Sequence, residues 1–318
     1  MSSYTFKPGI RESVGLLIGL IGCSGTGKTM SAMRLASGIV GPGNRFAVID
    51  TENRRALHYA DSFSFDHLDL KAPFRPDVYA DAIHAADKAG YKAIVVDSAS
   101  LEWSGEGGVL DWQEEELTRM AGDDWKKREA CKMASWIKCK MSHKAMVQKL
   151  LQVRSHLILC FRAEERVKME KDEKGKTQII PIGFQPVCSK ELPYELVTSF
   201  LLLPDKPGIG QPIKLQEQHK SIFPTGQLLD ESAGKAIAEW AKGGAAQTPS
   251  SPEAKKPIIP ATSDQITQIM GIMTTKGITE KIKILAELSN FYGRGIGSSK
   301  ELTSDEADDF IKANQGGE

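Results

Sequence analysis

LLIGLIGCSGTGKTM, residues 16–30, admits two incompatible readings. Leu20-Ile21-Gly22-Cys23 closes an apolar run that stands behind Lys7 and Arg11, the layout of a lipoprotein signal peptide cut before its cysteine. Gly22 to Thr29, GCSGTGKT, fits G-x-x-x-x-G-K-[ST], the loop that wraps a nucleotide's phosphates. That loop works only between a buried strand and a helix, because its N–H groups and the helix N-terminus must converge on the phosphates. Val14 to Gly22 has the composition of a buried strand, and Lys28 to Ile39 that of a helix ended by Gly41-Pro42-Gly43. Export would also place Glu12 where basic residues belong and leave Gly27-Lys28-Thr29 to coincidence. The stretch therefore reads as a phosphate loop, with a plain Gly-rich strand-to-helix turn as the bland alternative.

The nucleotide-binding set in this reading is Gly22, Ser24, Gly25, Thr26, Gly27, Lys28, Thr29 and Met30. Lys28 is expected to reach the β and γ phosphates and Thr29 to hold Mg²⁺ through its hydroxyl. Two acidic strand ends extend the site. AIVVD puts Asp97 at the end of an apolar strand, the position of a carboxylate that supports Mg²⁺, or of a simple strand-end cap. FAVIDTEN offers Asp50 and Glu52; Glu52 is the candidate to polarise a water attacking the γ-phosphate, against an ordinary exposed loop glutamate.

Working outward, the 318 residues suffice for one large α/β core and a smaller unit, and 41% hydrophobic content suits a packed protein. The five cysteines are odd in number and never spaced C-x-x-C, which favours a reducing cytoplasm, the host's if the chain is phage-encoded. Cys139 and His143 share a helix face at i and i+4, but a zinc site needs about four ligands and no partner pair is evident. No uncharged apolar stretch reaches the ~18 residues of a membrane span, so no membrane partner is expected.

Strands at 45–50, 93–97 and 156–161 alternate with helical segments at 77–90 and 125–152, which implies crossovers and a mostly parallel central sheet. A charged hairpin around Lys174-Gly175, strands at 196–204 and 212–216 and a helix at 231–242 complete a first domain, 1–242. Residues 243–262 are rich in Pro, Ala and Ser and read as a flexible linker. Residues 263–318 form a small helical C-terminal domain, with helices at 263–274, 280–292 and 303–313, the last capped by Ser304-Asp305-Glu306.

VIDTE after the first helix, VVDS at the third strand and Arg162 directly after the fourth resemble the RecA-like ATPase core. The likeness extends to compact phage-type ATP-binding proteins of that class, some of them short RecA-like single-strand-annealing recombinases. It implies an α/β P-loop NTPase fold, with Glu52 as catalytic base, Asp97 supporting magnesium and ATP as the nucleotide. HLILCFRAEERV resembles the strand whose end senses the γ-phosphate, which gives Arg162 that role in place of the polar amide of RecA itself. It also implies a homo-oligomer with ATP near the subunit interface, where Lys190 or Arg166 completes the site of a neighbour.

Lys+Arg and Asp+Glu both total 41, so any nucleic-acid grip must be local. Residues 102–124 carry a net charge of −7, from eight acids against Arg119, and residues 126–168 a net of +9, from twelve basic residues against three acids. The basic block, with Trp125 and Trp136 for stacking, suits single-stranded DNA; a helix whose lysines are merely solvated while Met133, Trp136, Ile137 and Met141 fill the core looks the same. The acidic block is then free to dock on a neighbour's basic block. From Thr262 onward, six basic residues oppose nine acidic ones, a net of −3 that suits a protein-docking module better than a DNA grip. The expectation is a DNA-stimulated, Mg²⁺-dependent ATPase of recombination or replication. A nucleoside-kinase-like phosphotransferase with a basic lid at 162–176, or an NTP-gated switch that barely hydrolyses, is the alternative.

Overall fold

The computed structural model describes residues 15–171, 177–242, 260–293 and 295–315. The stretch with Lys7, Arg11 and Glu12, the hairpin tip at Lys174-Gly175 and linker residues 243–259 lie outside the described residues. The chain divides into two compact units, Met1–Ala246 and Gln247–Glu318.

In chain order the first unit runs β1 (Leu17–Gly22), α1 (Lys28–Val40), β2 (Phe46–Asp50), β3 (Phe65–Asp69), α2 (Pro76–Lys88), β4 (Ala93–Asp97), α3 (Leu101–Ser104), α4 (Val109–Ala121) and α5 (Trp125–Leu150). It continues through β5 (His156–Lys171), β6 (Thr177–Pro186), α6 (Leu192–Glu195), β7 (Thr198–Leu202), β8 (Gly210–Lys214) and α7 (Glu231–Lys242). The sheet order is β3-β2-β4-β5-β1-β7-β8. From β3 to β7 every neighbouring pair is parallel, β8 closes the edge antiparallel to β7, and β6 folds back on the outer half of β5.

β1, β2 and β4 are buried at every residue, as strands covered on both faces must be. Their side chains alternate between two layers. Ile18 and Leu20 meet Ala32, Met33, Leu35 and Ala36 of α1 and Ile237 of α7. Leu17 and Ile21 face Tyr79 and Ile83 of α2 and Met146, Val147 and Leu150 of α5. The apolar run ahead of the loop is thus an interior strand, between β5 and β7, of a mostly parallel sheet.

β3 and α4, like the one-turn helices α3 and α6, fall where the sequence pattern signals no element. FDHLD of β3 is an edge strand with one fully buried residue, and α4 buries only Val109, Glu116, Leu117 and Ala121 among charged neighbours. The core of α5 also differs from expectation. Ser135, Cys139, His143, Met146, Val147 and Leu150 face inward, whereas Met133, Ile137 and Met141 are exposed and Trp136 is half-buried against Trp103. The inward face meets polar groups of α3 and α4, and Gln113 donates a 2.8 Å hydrogen bond to Ser135 there, so small and polar side chains fit it.

The second unit holds α8 (Ser263–Thr275), α9 (Lys281–Tyr292) and α10 (Ser304–Gln315) around Ile269, Met273, Leu288, Leu302 and Phe310. α10 begins at Ser304, one residue later than its sequence suggests, and its cap is Thr303 in place of Ser304: Thr303 and Glu306 exchange hydrogen bonds as a capping box. No helix among the described residues is long and apolar enough to cross a membrane.

Candidate nucleotide site

The loop leaves β1 at Gly22 and re-enters helix at Lys28. A Cβ on Gly22 would stand 2.5 Å from Thr26 Oγ1 and 2.7 Å from the Leu202 carbonyl oxygen, so only glycine fits beneath the turn. Gly27 has φ +84°, a left-handed conformation that side chains disfavour, and it launches α1. Thr26 is fully buried, donates to the Cys23 carbonyl at 3.0 Å and accepts from Gly208 N–H through its own carbonyl at 3.1 Å. Its contribution to a ligand is therefore limited to the backbone. Lys28 Nζ folds back onto the Cys23 carbonyl at 2.7 Å.

Thr29 Oγ1 donates a 2.5 Å hydrogen bond to Asp97 Oδ2. Burial pushes the Asp97 carboxyl up to about 6, although the Thr29 hydroxyl pulls it the other way. A hydroxyl and a carboxylate at the head of a phosphate loop are hard oxygen donors of the kind Mg²⁺ prefers, and the pair fits that ion. Among the described residues no group of three or more His, Cys, Asp or Glu side chains forms a metal cage.

Asp50 and Asp97 are register partners at the tips of β2 and β4. Thr51 locks the two tips together, donating to the Ser98 carbonyl at 3.0 Å and accepting from Ser98 N–H at 2.7 Å. Asp50 is 1% exposed, and its carboxylate accepts 2.8 Å hydrogen bonds from Glu52 N–H and Ala56 N–H. It shapes the turn and leaves the next acid, Glu52, to face the loop. Arg162, register partner of Gly22 and the last residue of β5 to pair with β1 before that strand runs on to Lys171, donates to Glu52 Oε1 from Nε at 3.1 Å and from a terminal nitrogen at 2.8 Å. Arg55 donates to Glu52 Oε2 at 3.2 Å.

One cavity of about 710 Å³ gathers these groups. Ser24, Gly25, Gly27, Lys28, Thr29, Met30, Glu52, Asp97 and Arg162 line it, from the far-separated stretches singled out in the sequence. Gly22 and Thr26 lie beneath it. Among the lining residues that the sequence reading did not single out are Arg55, His58 and Tyr59, on the 3₁₀ turn Arg55–Tyr59 that follows Glu52. Their only signal was closeness in sequence to Glu52. Arg166 and Lys190 are exposed and do not line this cavity.

Two other sequence candidates resolve into intrachain contacts. His143 is buried with Nδ1 2.8 Å from Glu102 Oε1 and Nε2 2.8 Å from Ser189 Oγ, while the Cys139 thiol points to the Ser135 carbonyl. The acidic block meets the basic block of its own chain where Glu114 pairs with Arg128 and Glu116 with Lys138; Glu116 also pairs with Arg119 of its own block and Glu115 with Arg75 of the α2 N-terminus.

A mostly parallel sheet with a phosphate loop at the end of a fully buried interior strand, and acidic tips beside that loop, defines a P-loop nucleotide-binding ATPase domain. A family model described as an AAA domain matches residues 15–196, more than half of the chain, and the chain belongs to that family. No protein of curated function matches it.

Proposed function

We propose that this chain is a Mg²⁺-dependent RecA-like ATPase that acts on single-stranded DNA in phage recombination or replication, annealing included, and that it works as a homo-oligomer. The observation that carries the hydrolytic part is the convergence of Lys28, Thr29, Asp97, Glu52 and Arg162 on one cavity. Lys28 leaves the Cys23 carbonyl to meet the terminal phosphates, and Thr29 with Asp97 holds Mg²⁺. When bound, that ion neutralises charge on the phosphate oxygens. Glu52 takes the proton of the attacking water and Arg162 supplies positive charge beside the transferred group. Tyr59 and His58 offer ring faces for the base.

DNA is the reading for the start of α5. Lys126 and Lys127 are exposed, pair with no acid among the described residues, and stand beside Trp125, 68% exposed and available to a base. Trp136 is a poorer platform, because its ring is stacked on Trp103. The net −3 C-terminal unit is proposed to dock a protein partner.

The test is phosphate release measured with and without single-stranded DNA across a salt series. Stimulation that falls steeply with salt is expected, since backbone binding releases counterions. Release that DNA leaves unchanged would remove the DNA part. Label passing from ATP to a small acceptor instead of water would replace the reading with a phosphotransferase.

A further inference from the structure

Beyond Arg162 the parallel sheet no longer fixes β5. Pairing with β4 ends at Cys160 and pairing with β1 at Arg162 itself, after which the strand runs on to Lys171. The main chain of Arg162 is held by two segments outside that sheet. Its N–H donates a 2.9 Å hydrogen bond to Ser100 Oγ, and its carbonyl accepts one of 2.8 Å from Val187 N–H. Its side chain is 50% exposed, so its aim at Glu52 depends on where that main chain is held. Both segments lead to His143 of α5. Glu102, two residues after Ser100, has Oε1 2.8 Å from His143 Nδ1, and Ser189, two residues after Val187, has Oγ 2.8 Å from His143 Nε2. Trp103 sets its ring edge-on to the same imidazole, with centroids 5.6 Å apart. Ser189 Oγ also accepts from Leu192 N–H at 3.1 Å, which fixes the turn that carries it. Glu102, His143 and Ser189 are all buried, where hydrogen bonds are strongest and costliest to leave unmade. A side chain whose two nitrogens are spent on two separate segments is a cross-link between them.

We propose that His143 is a positioning residue for Arg162. From α5 it clamps residues 100–102 to residues 187–189, and these two segments hold the main chain that aims the guanidinium into the nucleotide cavity. Ser104, at the end of α3, and Val187 themselves line that cavity, so the clamp sets part of its wall as well. His143 touches none of the groups proposed to meet the nucleotide and acts only through the two segments. The inference rests on the role given to Arg162 in the proposed function.

The experiment uses two full-length variants that cut the Ser189 side of the clamp: Ser189→Ala, and His143→Asn, whose shorter amide reaches Glu102 but not Ser189. Each is made alone and together with Arg162→Ala. Alone, each should lower kcat about 10–10²-fold, the cost of a misplaced group, and leave nucleotide Kd nearly unchanged. In the Arg162→Ala background the same changes should alter kcat less than about twofold, because residues that act as a unit are not additive. An unchanged kcat, an equal loss in both backgrounds, or a loss confined to Kd would each overturn the proposal. Amide hydrogen exchange of the nucleotide-free chain reads the clamp without hydrolysis. The Arg162 and Val187 amides should exchange faster in both variants, while Leu20 and Ile21 of β1 stay protected. Unchanged exchange at Arg162 and Val187, or a rise shared by β1, would also overturn it. Should His143→Asn fail to fold, Ser189→Ala carries both measurements. Faster exchange at Arg162 in a chain whose wild type releases no phosphate would refute the ATPase reading and leave the clamp standing.

Discussion

Arg162 grips Glu52 through two guanidinium nitrogens, at 3.1 and 2.8 Å from a single carboxylate oxygen, and Arg55 takes the other oxygen at 3.2 Å. The proposed base is thus tied, in this geometry, to the residue proposed to steady the transition state. Both arginines line the cavity, so a bound triphosphate competes with Glu52 for them. In the proposed mechanism the carboxylate is freed for a water molecule when they turn toward the phosphates.

Glu52→Gln is expected to lower kcat by about 10²–10⁴-fold, the usual contribution of a general base, and to leave nucleotide Kd nearly unchanged. Arg162→Ala should cost about 10²–10³-fold in kcat, as for loss of a charge-stabilising donor. Single-turnover hydrolysis and equilibrium binding on the same preparations separate the two effects. Unaltered turnover in Glu52→Gln would favour a nucleotide-gated switch.

Gly22→Ala should weaken nucleotide binding at least about tenfold, a loss of ~1.4 kcal/mol. The added methyl meets the Leu202 carbonyl at 2.7 Å, which is backbone and cannot swing aside. Calorimetric titration with an ATP analogue checks it. Wild-type affinity in the variant would mean that the loop takes another shape around its ligand.

His156 predicts an acid-sensitive step in stability. Burial pushes its imidazole from 6.5 down to about 4, and its Nδ1 accepts a 3.1 Å hydrogen bond from Leu16 N–H that only the unprotonated nitrogen can accept. The unfolded chain therefore binds more protons than the native one between these values. The stabilisation is complete above pH 6.5 and disappears as pH falls toward 4, an effect of ~3 kcal/mol. Denaturant unfolding from neutral to acid pH should show a shallower slope for His156→Gln, whose amide oxygen can still accept the Leu16 hydrogen bond. Identical slopes would assign the acid sensitivity elsewhere.

Glu102 and His143 are buried partners, so removing one strands the other. His143→Leu should destabilise the protein by about 3 kcal/mol, and Glu102→Leu/His143→Leu should recover part of that loss. Urea unfolding of the four proteins in the cycle measures the coupling. Chelator is expected to shift none of the four midpoints; a chelator-dependent wild type would reinstate a metal at His143.

Much of the fold and most of the cavity were legible in the sequence, for a physical reason. A phosphate loop needs a buried strand, glycines and a helix start in unbroken order, and strands buried on both faces spell themselves out as LIGLIG, FAVID and AIVVD. Elements with little buried surface, β3 and α4, leave almost no periodic trace. The lining residues Arg55, His58 and Tyr59 stand on a short 3₁₀ turn whose direction is set by Asp50, a contact no spacing rule encodes.

The chain itself determined the loop, the acidic strand ends and the arginine that follows the apolar run 156–161, because each is a local pattern whose chemistry depends on its immediate neighbours. Only the tertiary structure decided which groups face one another: that Asp97 meets Thr29, that Glu52 meets Arg162, and that His143 turns to Glu102 and Ser189. It also turned Met133, Ile137 and Met141 outward, because the surface covering the other side of α5 is polar. Which side of a helix is buried depends on what packs against it, and that lies far away along the chain.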